Sequence, residues 1–220
     1  MKIRFVVAML AGALLVSACA AKDSGAAQAQ PQWTAGKNYF VISPAQPTGH
    51  TDKVEVTEVF SYACPHCAHF QPWAQKIKAS LPDGAIMDYR PAVFHQSWLP
   101  FAKAFYVAKA LNLLDETHQA LFDALHRDHR PISSLQDLAQ FYGNYGVDPQ
   151  AFLSTAESFM VQTAVTKGVE WERACGVDGT PTIIIDGKYR VTGQSAGGYP
   201  QMVELIDWLV KKELAERGKA

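Results

Sequence analysis

The sequence predicts an α/β fold interrupted by an all-helical segment. Strand and helix signals alternate near residues 39–90 and return near residues 182–210, while the stretch between shows helical periodicity alone. The composition permits a sizeable core: 48% of the 220 residues are hydrophobic, including 11 Phe, 8 Tyr and 5 Trp, and 19% are charged. That excludes a disordered chain. Twenty Lys and Arg against 21 Asp and Glu give a formal charge of −1, which excludes recognition of nucleic acid by bulk positive charge.

Residues 39–42 predict a first strand. Val54–Phe60 predicts a second, because it is short, β-branched and entered from the Pro/Gly/Thr-rich residues 43–52. After Cys64 the period turns helical to about Ser80 and closes at Leu81-Pro82-Asp83-Gly84. Residues 85–90 predict a third strand. Phe101, Phe105 and Ala108 then recur at helical spacing, and Leu121, Phe122 and Leu125 mark a second helix of the middle region. Leu135, Leu138, Phe141 and Tyr142 mark a third, with a capping box expected at Ser133-x-x-Gln136. Asp148-Pro149 reads as an N-cap followed by proline at the first helical position. Val161, Val165 and Val169 stripe a fifth helix. Thr182–Ile185 has the character of a buried strand, Asp186-Gly187 of a hairpin turn, and residues 188–191 of the partner strand. Val203, Ile206, Leu209 and Val210 stripe a terminal helix. The expected organisation is an α/β unit in two parts, 37–97 and 163–214, with a helical insertion at 98–162 and a tail at 215–220.

The first 18 residues read as a secretory signal. Lys2 and Arg4 precede an apolar run over 5–16, too short for a bilayer span of about 20 residues. Its removal takes the formal charge from −1 to −3. Val16-Ser17-Ala18-Cys19 resembles a bacterial lipobox, with cleavage before Cys19 and lipid on that cysteine. Ala18-Cys19-Ala20 also suits ordinary signal peptidase, which would release a soluble periplasmic protein. Residues 19–36 lack apolar periodicity and read as a flexible tether. Export places the chain where disulfides form and persist.

Four cysteines are too few for a disulfide scaffold, so each is read on its own. Cys64-Pro65-His66-Cys67 sits where a strand gives way to a helix. Two cysteines at that spacing can close a small disulfide ring. In the reduced state the first sulfur lies near the unpaired N–H groups and positive end of the helix, which favours thiolate and hence an oxidising disulfide. Pro65 suits a first turn because it has no N–H to leave unpaired, and His66 can add charge or a hydrogen bond. A structural disulfide or half of a zinc site are the competing readings, although no second CxxC is present. Pro181, in Gly179-Thr180-Pro181-Thr182, directly precedes an apolar strand. On spacing alone it reads as a plain trans proline at a strand start; taken with the CxxC it is a candidate cis proline that would let Thr180 present its backbone to an extended peptide. Glu58 shares the strand face of Val54, Val56 and Phe60. It is either a buried acid with a raised pKa, able to take a proton from a thiol, or a frayed and exposed strand end. His69 reads as solvated or partly packed. His118, His126 and His129 read as a solvated helical face rather than metal ligands, and Cys175 as a buried thiol that could instead be a third redox group.

On Phe60-Ser61-Tyr62-x-Cys64-Pro65-His66-Cys67, the five-helix insertion, and Gly179-Thr180-Pro181 followed by a strand and Asp186-Gly187-Lys188-Tyr189, the chain resembles the thioredoxin superfamily. Within it, the chain is most similar to the DsbA-type periplasmic thiol:disulfide oxidants, from about Tyr39 to Leu214. That family is itself a standard case of an acidified cysteine and a strongly oxidising disulfide. The resemblance implies a thioredoxin fold with an inserted all-helical subdomain. It implies that Cys64 is the nucleophile that joins substrate and Cys67 the resolving cysteine. Pro181 would be the cis proline, Thr180 would line the peptide groove, Glu58 would be the buried acid, and His66 would stabilise the thiolate. It implies reduced exported proteins as substrates, a DsbB-type quinone-linked membrane oxidase as partner, and no metal or organic cofactor. Two alternatives stand beside it: a disulfide isomerase or reductase kept reduced, and a lipid-anchored peptide-binding chaperone without redox turnover. Thr180 bears on the first, since the best-known DsbA has valine before the cis proline and isomerases commonly have threonine.

Overall fold

All seven residues of β2 (Val54–Phe60) are buried, because β2 is a central strand with layers packed on both faces. In the computed structural model residues 33–218 are described; the signal, Cys19 and residues 19–32 of the tether lie outside them. β2 pairs in parallel with β3 (Ala85–Pro91) and antiparallel with β4 (Thr182–Ile185). β5 (Tyr189–Thr192) and the two-residue β1 (Phe40–Val41) complete a mixed sheet ordered β1-β5-β4-β2-β3. The Asp186-Gly187 turn joins β4 to β5 with positive φ at both residues, the conformation this dipeptide favours. A Cβ at Gly187 would stand 1.9 Å from the Gln46 carbonyl oxygen, so the turn admits no side chain there.

Three apolar clusters divide the interior. On one face of the sheet, Phe70, Ala74 and Ile77 of α1 (Pro65–Ser80) meet Met202, Leu205, Ile206 and Leu209 of α8 (Tyr199–Arg217) over Val54, Val56, Ile183 and Val191. On the other face, Val59 and Ile184 pack against Trp171 and Cys175. At the end of β2, Phe60 and Tyr62 enter a third cluster with the inserted helices α2 (Leu99–Ala110), α3 (Leu114–Phe122), α4 (Leu135–Gly143), α5 (Pro149–Ala156) and α6 (Phe159–Ala174). Phe60, Phe105, Phe122, Leu121 and Leu138 are fully buried there, each worth roughly 1.5–3 kcal/mol of transfer free energy. The insertion therefore roofs the point where β2 turns into α1. α6 runs unbroken across position 162.

Local details depart from the periodicity. The capping box of α4 lies one residue later than expected: Ser134 accepts from the Asp137 N–H at 3.1 Å and Asp137 accepts from the Ser134 N–H at 2.9 Å. Asp137 rather than Gln136 closes the box. α3 continues as a π-helical turn over Asp123–Arg127. In α6 only Val161 of the valine stripe is fully buried; Gly168, Trp171 and Glu172 carry the rest of the face. Gly168 lets Tyr106 of α2 approach closely, since a Cβ there would lie 2.8 Å from the Tyr106 hydroxyl. A short helix, α7 (Gly193–Ala196), precedes α8 and has no counterpart in the expected pattern. Among the described residues no helix is long and apolar enough to cross a membrane.

Candidate active site

β2 ends at Phe60, and Ser61 begins the turn: its carbonyl accepts from the Cys64 N–H at 3.0 Å and its hydroxyl from the Ala63 N–H at 3.2 Å. Cys64 is thereby set at the N-cap of α1, in extended conformation (φ −90, ψ 115), with Pro65 at the first helical position. No side-chain cap satisfies the first N–H groups of the helix, so the Cys64 sulfur is the anion acceptor they face. One turn on, Cys67 is fully buried, whereas Cys64 keeps 5% exposure. The structure holds both as thiols.

Their surroundings split the pair. A hydrogen bond from the Cys67 thiol is the largest cause pulling Cys64 down, to a pKa of about 5. The Thr180 side chain and the backbone N–H groups of Cys67 and His66 add to it, while burial opposes it. Cys67 is driven far up, first by burial and then by the hydrogen bond it gives to Cys64, with the charge of Glu58 adding. What reaches Cys64 from His66 is its backbone N–H; the imidazole is exposed and lines a groove.

Glu58 lies inside, not at a frayed end. It is fully buried between Ile183 and Tyr89 in the strand register, and neither carboxyl oxygen has a hydrogen-bond partner among the described residues. Burial, and then the charge of Cys64, push its pKa up to about 8. The Thr180–Pro181 peptide bond is cis, and the Thr180 carbonyl oxygen stands 3.6 Å from Cys64 Sγ. Beyond it opens a groove of about 1310 Å³, bounded by His66, the Gly179–Thr182 loop, β5 and the loops around α7.

The structure thus brings Glu58, Cys64, Pro65, His66, Cys67, Thr180 and Pro181 to one place. It keeps Cys175 apart, buried to 3% on the other sheet face, with burial pushing its thiol up to about 12. His69 and His129 are exposed. No group of three or more His, Cys, Asp or Glu side chains gathers as metal ligands would among the described residues.

The solvated-face reading of His118 and His126 is corrected. His118 is half-buried, its ring packed against Phe60, Tyr62, Tyr89 and Phe122, and its Nδ1 pairs with the Tyr62 hydroxyl at 2.9 Å. Burial pushes its pKa down to about 3, so the ring is neutral at neutral pH. His126 Nε2 meets the Tyr62 carbonyl oxygen at 2.7 Å. The π-helical turn carries His126, so two histidines of the insertion hold the residue two before Cys64. A signal existed: His118, Leu121, Phe122 and Leu125 share one helical face.

The profile of a family described as Thioredoxin matches residues 48–207. The thiol:disulfide interchange protein DsbA of Pseudomonas aeruginosa is 34% identical over 216 residues, covering 96% of this chain and 97% of its own. That of Burkholderia cepacia is 33% identical over 197 residues, covering 86% and 90%. The crystal structure of P. aeruginosa DsbA superposes with a TM-score of 0.78 at 34% identity, over 84% of this chain and 97% of that one. The Xylella fastidiosa oxidoreductase DsbA gives 0.77 at 33% identity, over 82% and 97%. With the split thiol pair at the helix start, the cis proline beside it and the helical roof above it, this chain belongs to the DsbA family of thiol:disulfide interchange proteins in the thioredoxin superfamily.

Proposed function

We propose that this chain works in the periplasm as a dithiol oxidase, donating the Cys64–Cys67 disulfide to newly exported proteins. A substrate thiolate attacks Cys64 Sγ, a sulfur–sulfur bond forms there, and the Cys64–Cys67 bond breaks. Cys67 leaves with the electron pair and takes a proton, for which Glu58, protonated below about pH 8, is the buried donor. A second substrate thiolate then attacks the substrate sulfur of the mixed disulfide and expels Cys64 as a thiolate. The substrate ends oxidised by two electrons and the Cys64–Cys67 pair ends reduced. Thr180 and Pro181 line the approach of the substrate backbone. A DsbB-type quinone-linked membrane oxidase would reoxidise the pair, and lipid on Cys19 would anchor the protein to a membrane.

The single observation that supports the direction is the seat of Cys64 at the uncapped start of α1, where the Cys67 thiol and the first backbone N–H groups draw its pKa down to about 5. A stabilised thiolate stabilises the dithiol, and a stabilised dithiol makes the disulfide a strong oxidant. The test is the redox equilibrium of the purified protein with glutathione, read by trapping Cys64 and Cys67, with Cys175→Ser as control. A potential near about −120 mV is expected. A value near about −270 mV would replace this reading with that of a reductase or isomerase kept reduced.

A further inference from the structure

We infer that the groove beside Cys64 selects substrate segments carrying a carboxylate side chain three to four residues from the attacking cysteine. This rests on the oxidase reading above and adds a substrate class to it. Three charged side chains, Lys37, Arg190 and Asp178, and the imidazole of His66 line the groove. The rest of the lining is glycine, hydroxyl, amide, proline and aromatic.

Arg190 is built into the wall. Along β5 it alternates with Tyr189 and Val191, which are buried in the opposite face of the sheet. That alternation turns Arg190 to the face of Ile184, where its side chain forms part of the groove wall. Its guanidinium lies 4.9 Å from the centre of the Phe40 ring, and its side chain is only 19% exposed. Stacking fixes the orientation of the planar group before a ligand arrives. Its one carboxylate partner among the described residues, Asp178, sits 3.3 Å away on a side chain that is 81% exposed. Such a pair is weak, so an incoming carboxylate can take the place of Asp178. Lys37 is exposed on the rim and has no carboxylate within 4.0 Å among the described residues.

The register sets the distance. Thr182 faces Thr192 across the β4–β5 pair and Ile184 faces Arg190, while Thr180 touches Cys64. Along the chain Ile184, opposite Arg190, is four residues from Thr180, the first two steps through the cis-proline loop and the last two along β4. At about 3.3 Å per residue an extended peptide covers that span in roughly four residues, or three once the arginine side chain reaches back.

The experiment uses two dithiol peptides identical except three and four residues to either side of one cysteine, where one has glutamate and the other lysine. Each reduces the oxidised protein, and the rate is read by quenching and trapping the Cys64 and Cys67 thiols. At low ionic strength the glutamate peptide is expected to react roughly threefold to tenfold faster, and the ratio to fall toward one at about 0.5 M salt. Lys37→Glu with Arg190→Gln should invert or erase the preference; Lys37→Arg should keep it. Equal rates with the native protein at low salt, or a preference that survives the double variant, would overturn the inference while leaving the oxidase reading intact. Failure to oxidise either peptide would overturn both.

Discussion

Cys64 and Cys175 are almost equally hidden, with 5% and 3% exposure, yet their chemistry is opposite. Cys64 is drawn down to a pKa of about 5 and Cys175 pushed up to about 12. The difference lies in what surrounds each sulfur. Cys64 is the N-cap of α1, facing unpaired N–H groups and receiving a hydrogen bond from Cys67. Cys175 is the C-cap of α6, where the unpaired backbone groups are carbonyls and repel a thiolate. Its burial is the first cause of its raised pKa; Glu172 adds and Arg90 only partly offsets. Accessibility does not decide which cysteine reacts; the local supply of donors does.

The sharpest break of this comparison is substitution at each sulfur. Cys64→Ser should lower disulfide transfer to a dithiol peptide by three orders of magnitude or more, since the attacked sulfur is gone. Cys175→Ser should leave the rate unchanged. A Cys64→Ser protein that still promoted folding of reduced substrates would favour the chaperone alternative. Next in size is the titration itself. Thiolate absorbance and alkylation of the reduced native protein should rise with a midpoint near pH 5 for Cys64. Cys175 should stay unlabelled at neutral pH until denaturant is added. Labelling of Cys175 in the native state would remove the contrast.

Glu58 gives a subtler test, because its sign opposes that of Cys64. The folded pKa of Glu58, about 8, lies above its ordinary 4.5. Between those values the folded chain binds more protons, so stability falls as pH rises. Cys64, at about 5 against an ordinary 9.0, adds stability to the reduced form as pH rises over nearly the same window. The two effects largely offset in the reduced protein; in the oxidised protein only Glu58 acts, raised by burial without the Cys64 charge. The stability gap in favour of the reduced form should therefore widen from about pH 5 to pH 8. Glu58→Gln should stabilise the oxidised form at neutral pH by on the order of 2 kcal/mol, measured by denaturant unfolding.

The features that make Cys64 reactive were legible because they are local. The Cys64–Cys67 spacing, Pro65 at the first turn and the strand before it lie within about a dozen residues, and backbone periodicity reports on such neighbours. Glu58 was half legible. Its strand face was correct, but whether the end frayed depended on β3 and β4, which come from distant sequence. Glu55 and Thr57 could pass for a wet face of β2, yet they are buried and pair with each other at 2.8 Å. The groove was legible only at Thr180 and Pro181. Lys37, Arg190 and the loops around α7 join it through the β1–β5 and β4–β5 pairings. The histidines were misread because a polar ring on a helix defaults to solvent unless a partner is known, and the partner of both is Tyr62.

The smallest expected effect concerns those histidines and asks whether the roof contributes to the acidity of Cys64 or only to the fold. If donors at the start of α1 set that acidity, removing His118 should cost stability and leave the thiol alone. His118→Phe would strand the Tyr62 hydroxyl in a buried setting, at about 1–3 kcal/mol. Tyr62→Phe in the same chain should recover much of that loss, giving a coupling near 1 kcal/mol in the double-mutant cycle. The acid limb adds a second signature. The folded pKa of His118, about 3, lies below its ordinary 6.5. The unfolded chain therefore binds more protons between those values, and native stability falls as pH falls through them. His118→Phe should flatten that part of the pH profile. The Cys64 midpoint should stay near pH 5 in every member of the cycle. A shift of a full unit would mean that the insertion, reaching Cys64 through Tyr62, helps set the thiol's acidity, and the contrast between two helix ends would no longer suffice.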